Sequence, residues 1–493
     1  MSAPPTATTS TARLPATALD AAEVAVVGAG AVGAAIARDL AAHGVDTVWL
    51  DAAHDVGAGT TKANTAIWHT GFDAKPGTLE ARLVARGYER LAAEAPALAV
   101  PVRADGAVLV AWDAEQAEAL DGIIAQAAQN GYRACRRLNA AEVYAREPRL
   151  AAGAHGGILV PDEGLLCPFT LPLSLGRQAL AGGVRLHLGA AVRDAREEAG
   201  PDGAPRHRLA TTRGEVVARS VVNAAGLGAG ALNGVLGLEP FTVTPRRGQL
   251  LVFDGLARPL VRHVILPVPT ARTKGMLVAP TVHGKLLVGP TAEDLDDARA
   301  TETTAEGHAA LARWARGVVP ALAHEEPIAA YAGLRAATDQ RDYRVHADPA
   351  RGVVCVGGIR STGLSSCLGL SEHVLGLLAD CGLATGERGE LPPVALLGPR
   401  RPDGQPGAPP FLGEDRPRPC EDADAVAADP DRGRMVCHCE RVSAAEVRDA
   451  LADPLLPARD LDGLRRRTRA GLGRCQRFHC GARLDALLAG GPS

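Results

Sequence analysis

The stretch EVAVVGAGAVGAAIARDLAAHGVDTVWLD, residues 23–51, holds a strand, a glycine turn, a helix and a second strand in one run. Residues 24–27 form a short apolar strand, and Gly28, Gly30 and Gly33 follow it as G-x-G-x-x-G. Each glycine answers a separate need: the first bends the chain tightly, the second lets backbone approach a pyrophosphate, and the third lets helix lie close on strand. The helix that starts there offers unpaired amides and the positive end of its dipole to a phosphate. Asp51 ends the second strand, residues 47–50, 23 positions after Gly28, where an acid accepts from ribose hydroxyls. A lone glycine motif also occurs in purely structural turns. The flanking strand, helix and acid make this one a dinucleotide site.

With 493 residues the chain has length for two to four domains with large cores. A net charge of −3 gives no electrostatic footprint for nucleic acid or for an acidic membrane surface. No run of about 18 apolar residues suggests a membrane span. Residues 1–22, rich in Ala, Thr and Pro, lack a basic start and an apolar core, so they read as a disordered leader and not as a signal peptide.

Beyond Asp51, residues 57–64 are small or hydroxylic and end in Thr61, Lys62 and Asn64, a loop able to give amides, hydroxyls and one cation to a nucleotide. From Thr78 the pattern turns helical, with Leu79, Leu83 and Val84 on one face. Strands and helices then alternate through residues 100–190, which predicts an α/β fold. Residues 216–232 add a buried strand and a glycine turn at Gly226, Gly228 and Gly230. Residues 352–379 add a third strand, turn and helix, including Gly363. Between these, residues 241–293 are strand-rich and punctuated by Pro and Gly, as a largely antiparallel sheet over a substrate pocket would be. A nucleotide-binding domain interrupted by an inserted domain and completed late accounts for the order. In YAGLR, residues 331–335, Arg335 follows an apolar run; arginine suits bidentate holding of a carboxylate or phosphate, though single arginines more often make surface salt bridges. Residues 393–434 carry Pro, Gly, Asp and Arg without periodicity and read as a linker.

Six of the ten cysteines are scattered; Cys437, Cys439, Cys475 and Cys480 are grouped as C-x-C and, 35 residues later, C-x4-C. Four thiolates in two close pairs suit a [2Fe-2S] cluster or a structural zinc, and neither pair has the C-x2-C spacing commoner for zinc. Between the pairs, Ser443 and Glu446 form a capping box for a helix. Arg465, Arg466, Arg467 and Arg469 either offset an anionic cluster or form a solvated face.

Together GAGAVG, TTKANTAIWHTGFDAKPGTLEARL, PRRGQLLVFD, GMLVAPTVHGKLLVGPTAEDLDD and YAGLRA resemble the FAD-dependent dehydrogenases of the D-amino-acid oxidase superfamily. Within it, the chain is similar to the large catalytic subunits of anaerobic glycerol-3-phosphate dehydrogenases. The terminal CHCE and RRRTRAGLGRCQRFHC resemble the bacterioferritin-associated-ferredoxin-like (BFD-like) [2Fe-2S] module in its C-x4-C form.

The resemblance implies FAD at Gly28–Asp51, with Thr61, Lys62 and Asn64 near the pyrophosphate and flavin and with Gly226 and Gly363 lining the cofactor. It implies Arg335 on the substrate anion, His69 beside the isoalloxazine as a candidate base, and a [2Fe-2S] cluster on the four cysteines. The expected architecture is an FAD-binding Rossmann-like domain (segments 23–90, 150–235 and 335–385) interrupted by an antiparallel-sheet substrate domain (91–149 and 236–334). A linker (393–434) and a small helical cluster domain (435–490) follow.

The implied reaction is oxidation of sn-glycerol 3-phosphate to dihydroxyacetone phosphate. Electrons would leave through the cluster to an acceptor protein or quinone-linked subunit, in a cytoplasmic protein that can sit peripherally at the inner face of the membrane. The segment HTGFDAKPGTLEARL is equally similar to L-2-hydroxyglutarate dehydrogenases, which keeps 2-hydroxy acids in view. The other readings are an amino-acid or opine-type amine dehydrogenase and a pure electron-transfer subunit.

Overall fold

A computed structural model describes residues 18–200, 203, 205–269, 275–396 and 418–490. Its first sheet has a parallel centre in the order Arg185–Leu188, Thr47–Asp51, Ala18–Val27, Gly214–Asn223, Val353–Gly357. An antiparallel hairpin, Val192–Ala199 with Pro205–Thr211, and the strand Arg344–Asp348 extend it. The helices Ala31–Ala42, Thr170–Ala181, Leu79–Leu98 and Gly363–Asp380 pack together beside it. The shared core is large and aliphatic: Ile36, Leu40, Leu171, Leu175, Leu368 and Leu370 are buried around Trp49. Parallel strands covered by helices and read from apolar runs bounded by glycine are the α/β pattern the sequence predicts.

The first strand begins at Ala18, so the end of the 1–22 stretch expected to be a disordered leader pairs with Glu215–Ala218; residues 1–17 lie outside the described residues.

The second sheet joins Thr244–Phe253, Val264–Pro267, Leu277–Pro280, Leu286–Gly289 and Pro327–Ala337 to Ala107–Ala111, Gly156–Val160 and Arg136–Leu138. It is antiparallel except where Val264–Pro267 runs beside Ala107–Ala111. Two boundaries differ from expectation. Gly156–Val160, placed by sequence in an FAD segment, pairs in this sheet with Ala107–Ala111, and Pro327–Ala337 runs past residue 334. Strand periodicity marks a strand but not the sheet that receives it, because partner choice rests on contacts distant in sequence.

The C-terminal module is a two-stranded ribbon, Met435–Cys437 with Val442–Ser443, and the helices Ala444–Leu451, Leu461–Thr468 and Gly481–Leu488. The expected capping box is present: Ser443 Oγ accepts from Glu446 N while the Glu446 carboxylate accepts from Ser443 N. The expected linker is ordered where it is described. Residues 418–434 form the short helix Ala423–Ala428 and flanking turns, pinned by Arg432 to Asp449 at 3.1 Å and by Arg448 to Asp429. These turns, the first capped by Asp422, are too short to show periodicity. Residues 397–417 lie outside the described residues.

Candidate active site

The carboxyl ends of the parallel strands open into a cavity of about 1320 Å³ that reaches under the second sheet. At its floor the chain turns at Gly28, whose φ of +118° and closeness to Ala224 O leave no room for a side chain. Gly33 serves packing, since a Cβ there would meet Gly28 O, and it is absent from the cavity wall. Gly30 and Asp51 line the cavity. One Asp51 oxygen accepts from Ala29 N and the other from Ala53 N at 2.6 Å, so the acid ties the glycine turn to the next loop. Burial pushes the Asp51 carboxyl up, and those two amides only partly offset it. Trp49 Nε1 donates to Gly28 O at 2.9 Å and fixes the turn from behind.

The loop of residues 52–64 forms one wall. Thr61 Oγ1 accepts from Ala31 N at 3.0 Å, at the start of the helix. Asn64 lines the cavity while its side chain closes its own turn, donating to Thr61 O and accepting from Ala66 N. Gly226 and Gly363 also line the cavity. Lys62 is placed elsewhere: it is not among the cavity residues, and its Nζ lies 3.8 Å from Asp462 of the C-terminal module. An extended cavity, with backbone amides and a helix N-terminus at one end and a strand-end acid beside them, fits an FAD dinucleotide.

His69 and Arg335 line the same cavity. His69 Nδ1 is 2.6 Å from Oε1 of Glu163, a wholly buried carboxylate, and Glu163 Oε2 accepts from Thr70 N and Thr70 Oγ1. With Glu163 acting as acceptor, the ring proton sits on Nδ1 and the basic lone pair on Nε2. Arg335 stands across from Arg246 on the neighbouring strand and hydrogen-bonds Thr291 O. Burial, with Arg246 beside it, pulls its guanidinium down to about 10. Arg246 is paired with Asp294 at 2.6 Å. Gly248 makes the room: a Cβ there would lie 2.8 Å from Arg335 Nη2. Sequence reading missed Glu163, the second of two adjacent acids in a PDEG turn with no pattern around it, and Gly248, whose only signal is its place in PRRGQL.

In the C-terminal module the four thiols approach as two pairs, Cys437 with Cys480 and Cys439 with Cys475. Gly471 N points to Cys437 Sγ at 3.4 Å. Among the described residues no three His, Cys, Asp or Glu side chains gather round one ion-sized point. Two thiol pairs are what a two-iron cluster with four thiolate ligands requires, so the donor set fits. The arginine run does something else. Arg466 and Arg467 are buried against Asp55 of the other domain, and Arg469 holds Glu440. Arg466 and Arg467 are therefore not part of a solvated face.

Residues 23–377 match the family described as FAD dependent oxidoreductase, and residues 435–490 match the BFD-like [2Fe-2S] binding domain. The chain is 34% identical to a glycerol 3-phosphate dehydrogenase of Caloramator mitchellensis, covering 95% of this chain and 94% of that one. It is 27% identical to a subunit of the anaerobic glycerol-3-phosphate dehydrogenase of Escherichia coli, over 94% and 88% of the two. Among solved structures, the FAD-bound L-alpha-glycerophosphate oxidase of Mycoplasma pneumoniae shares the fold, with a TM-score of 0.70 at 23% identity over 76% of this chain and 97% of that one. No helix among the described residues is long and apolar enough to cross a membrane. The chain belongs to the FAD-dependent oxidoreductase family and carries a BFD-like domain behind it, with FAD and a [2Fe-2S] cluster as its cofactors.

Proposed function

We propose that this oxidoreductase converts sn-glycerol 3-phosphate to dihydroxyacetone phosphate, with His69 as the base and Arg335 as the anion holder. The observation that carries the reading is their convergence: a carboxylate-oriented histidine and a half-buried arginine face one cavity that also holds the dinucleotide cradle. The length-spanning similarity to glycerol 3-phosphate dehydrogenases supports the phosphate ester as the anion.

When bound, FAD supplies the acceptor for a hydride and the cluster supplies one-electron transfer onward. The chain's own residues prepare the substrate. Arg335 holds the anionic group at one end of the pocket, which sets how far the secondary alcohol reaches; fixing that geometry accounts for a large share of catalysis. His69 Nε2 takes the hydroxyl proton as the carbon loses its hydride, so the C–H bond breaks and C=O forms. Glu163 is a positioning residue: it holds His69 in the one tautomer that leaves Nε2 basic. Ile67, Phe72, Leu109 and Leu277 line the cavity and exclude water from the reacting carbon.

The electrons pass to an acceptor protein or quinone-linked subunit, and the chain acts from the cytoplasm, peripherally at the inner face of the membrane. The test is product analysis with an artificial electron acceptor. Glycerol 3-phosphate should yield dihydroxyacetone phosphate. Turnover of L-2-hydroxyglutarate in its place, or release of ammonia from an amine, would overturn the substrate.

A further inference from the structure

The C-terminal module does not hang from a tether. It is bolted to the loop that walls the FAD site. Asp55 lies in that loop between cavity-lining Ala53 and Ala58, and the next residue but one, Gly57, donates its N–H to Ala29 O of the glycine turn at 2.7 Å. Arg467 grips Asp55 bidentately, Nη1 to Oδ2 and Nη2 to Oδ1, both at 2.8 Å, and Arg466 adds a contact to Oδ2. Arg467 is 1% exposed and also donates to Leu456 O and Gly463 O.

A second bolt lies close by: Arg177, 1% exposed on the helix Thr170–Ala181, pairs with buried Asp453. Between the bolts Leu456 of the module is buried in the flavin-domain core. It meets Gly176 beside Trp49, and a Cβ on Gly176 would lie 3.2 Å from Leu456 and 3.3 Å from the Trp49 ring. Trp49 is the residue whose indole holds Gly28 O. Further out, Glu440 and Arg474 of the module pair with Lys285 and Asp254, which lie in turns of the second sheet.

These contacts depend on the module being folded. Its core is made of Val436, Val442, Val447, Leu464, Leu484 and small alanines, together with Cys437 and Cys480 themselves. A core so small and partly built from metal-binding thiols draws its folding free energy from the metal centre. The helix Leu461–Thr468 that carries Arg466 and Arg467 presents Leu464 to that core and runs into the loop bearing Cys475.

We infer that the cluster-loaded module is a structural part of the FAD site: Arg466, Arg467, Asp453 and Leu456 hold the 52–64 loop and the glycine turn in their binding geometry, so loss of the cluster weakens FAD binding. Breaking one partner of a buried ion pair leaves an uncompensated charge, so the loop rearranges when the module loosens. Linkage makes the effect reciprocal, and FAD must protect the cluster by the same factor.

The test uses the full chain, loaded with both cofactors, and reads equilibrium FAD affinity by flavin fluorescence. Stripping the iron with a chelator should raise the FAD Kd by about tenfold, within the range of ordinary site–site coupling, and reloading should restore it. Arg467→Ala and, should that variant not fold, Asp55→Asn should weaken FAD with the cluster still present, while Arg137→Ala, at an exposed pair with Asp121, should not. Equal FAD affinity with and without the cluster, or in Arg467→Ala or Asp55→Asn and the parent, would overturn the inference. Substrate identity does not enter either readout.

Discussion

At the glycine turn the chain offers its ligand backbone: amides, a helix end and carbonyl-locked glycines, all braced by a core of Ile36, Leu40, Trp49 and Leu171. At the cysteine module it offers side chains: four thiols, Cys437 on a strand, Cys439 and Cys475 in turns and Cys480 at a helix N-cap, beside a small aliphatic core. The first region is a mould that takes most of its shape from its own domain, because packing holds Gly28 against Ala224 and a hydrogen bond holds Asp51 to the next loop, while the docked module braces that loop from outside. The second leans on what it binds and on what it docks against. The pairing of Asp55 with Arg467 joins a region shaped mostly by its own core to one that leans on its neighbours.

The comparison breaks most sharply at the cysteines. Cys475→Ser should abolish bound iron and the visible cluster absorbance while substrate still bleaches the flavin that remains, read by iron assay and anaerobic spectroscopy. Within the mould, His69→Asn should lower the rate of flavin reduction by about 10²–10⁴-fold, the usual share of a general base, with FAD retained; stopped-flow absorbance reads it. Arg335→Ala should raise KM for the anionic substrate by roughly tenfold to a hundredfold, the worth of a hydrogen bond to a charged group, and leave the flavin spectrum unchanged. Glu163→Gln should lower kcat by about tenfold with KM held, since an amide supports either tautomer of His69; Glu163→Asp should restore part of the rate.

The smallest effect concerns acid. Burial alone would raise the Asp55 carboxyl, but Arg467 and Arg466 outweigh it and hold it below its ordinary value. The stability it lends the docked module is therefore present in full above the ordinary carboxylate range and is lost as pH falls through the depressed value. Undocking, followed by flavin release, should appear on the acid side only.

The same contrast separates what the sequence makes legible from what it hides. Gly28, Gly30, Gly33 and Asp51 announce themselves because one local unit needs all four at fixed spacing, and the cysteine pairs do so because thiolates at C-x-C and C-x4-C have few other uses. The α/β order follows from apolar runs ending in glycine. Glu163 is hidden because a buried acid is recognised only by the histidine it faces, 94 positions earlier. Arg466 and Arg467 read as one more charged run because their partner Asp55 lies more than 400 positions away. Lys62 looks like a phosphate ligand in a hydroxyl-rich loop, yet it turns toward Asp462, because the docked module offers a carboxylate there.

The most direct test of the account is an anaerobic titration of the cofactor-loaded protein with glycerol 3-phosphate and, separately, with L-2-hydroxyglutarate, following flavin bleaching and the cluster signal together. Fast bleaching by glycerol 3-phosphate, with the cluster reduced in its wake, is the predicted result. A flavin that stays oxidised with glycerol 3-phosphate, or bleaches only with the hydroxy acid, would contradict it.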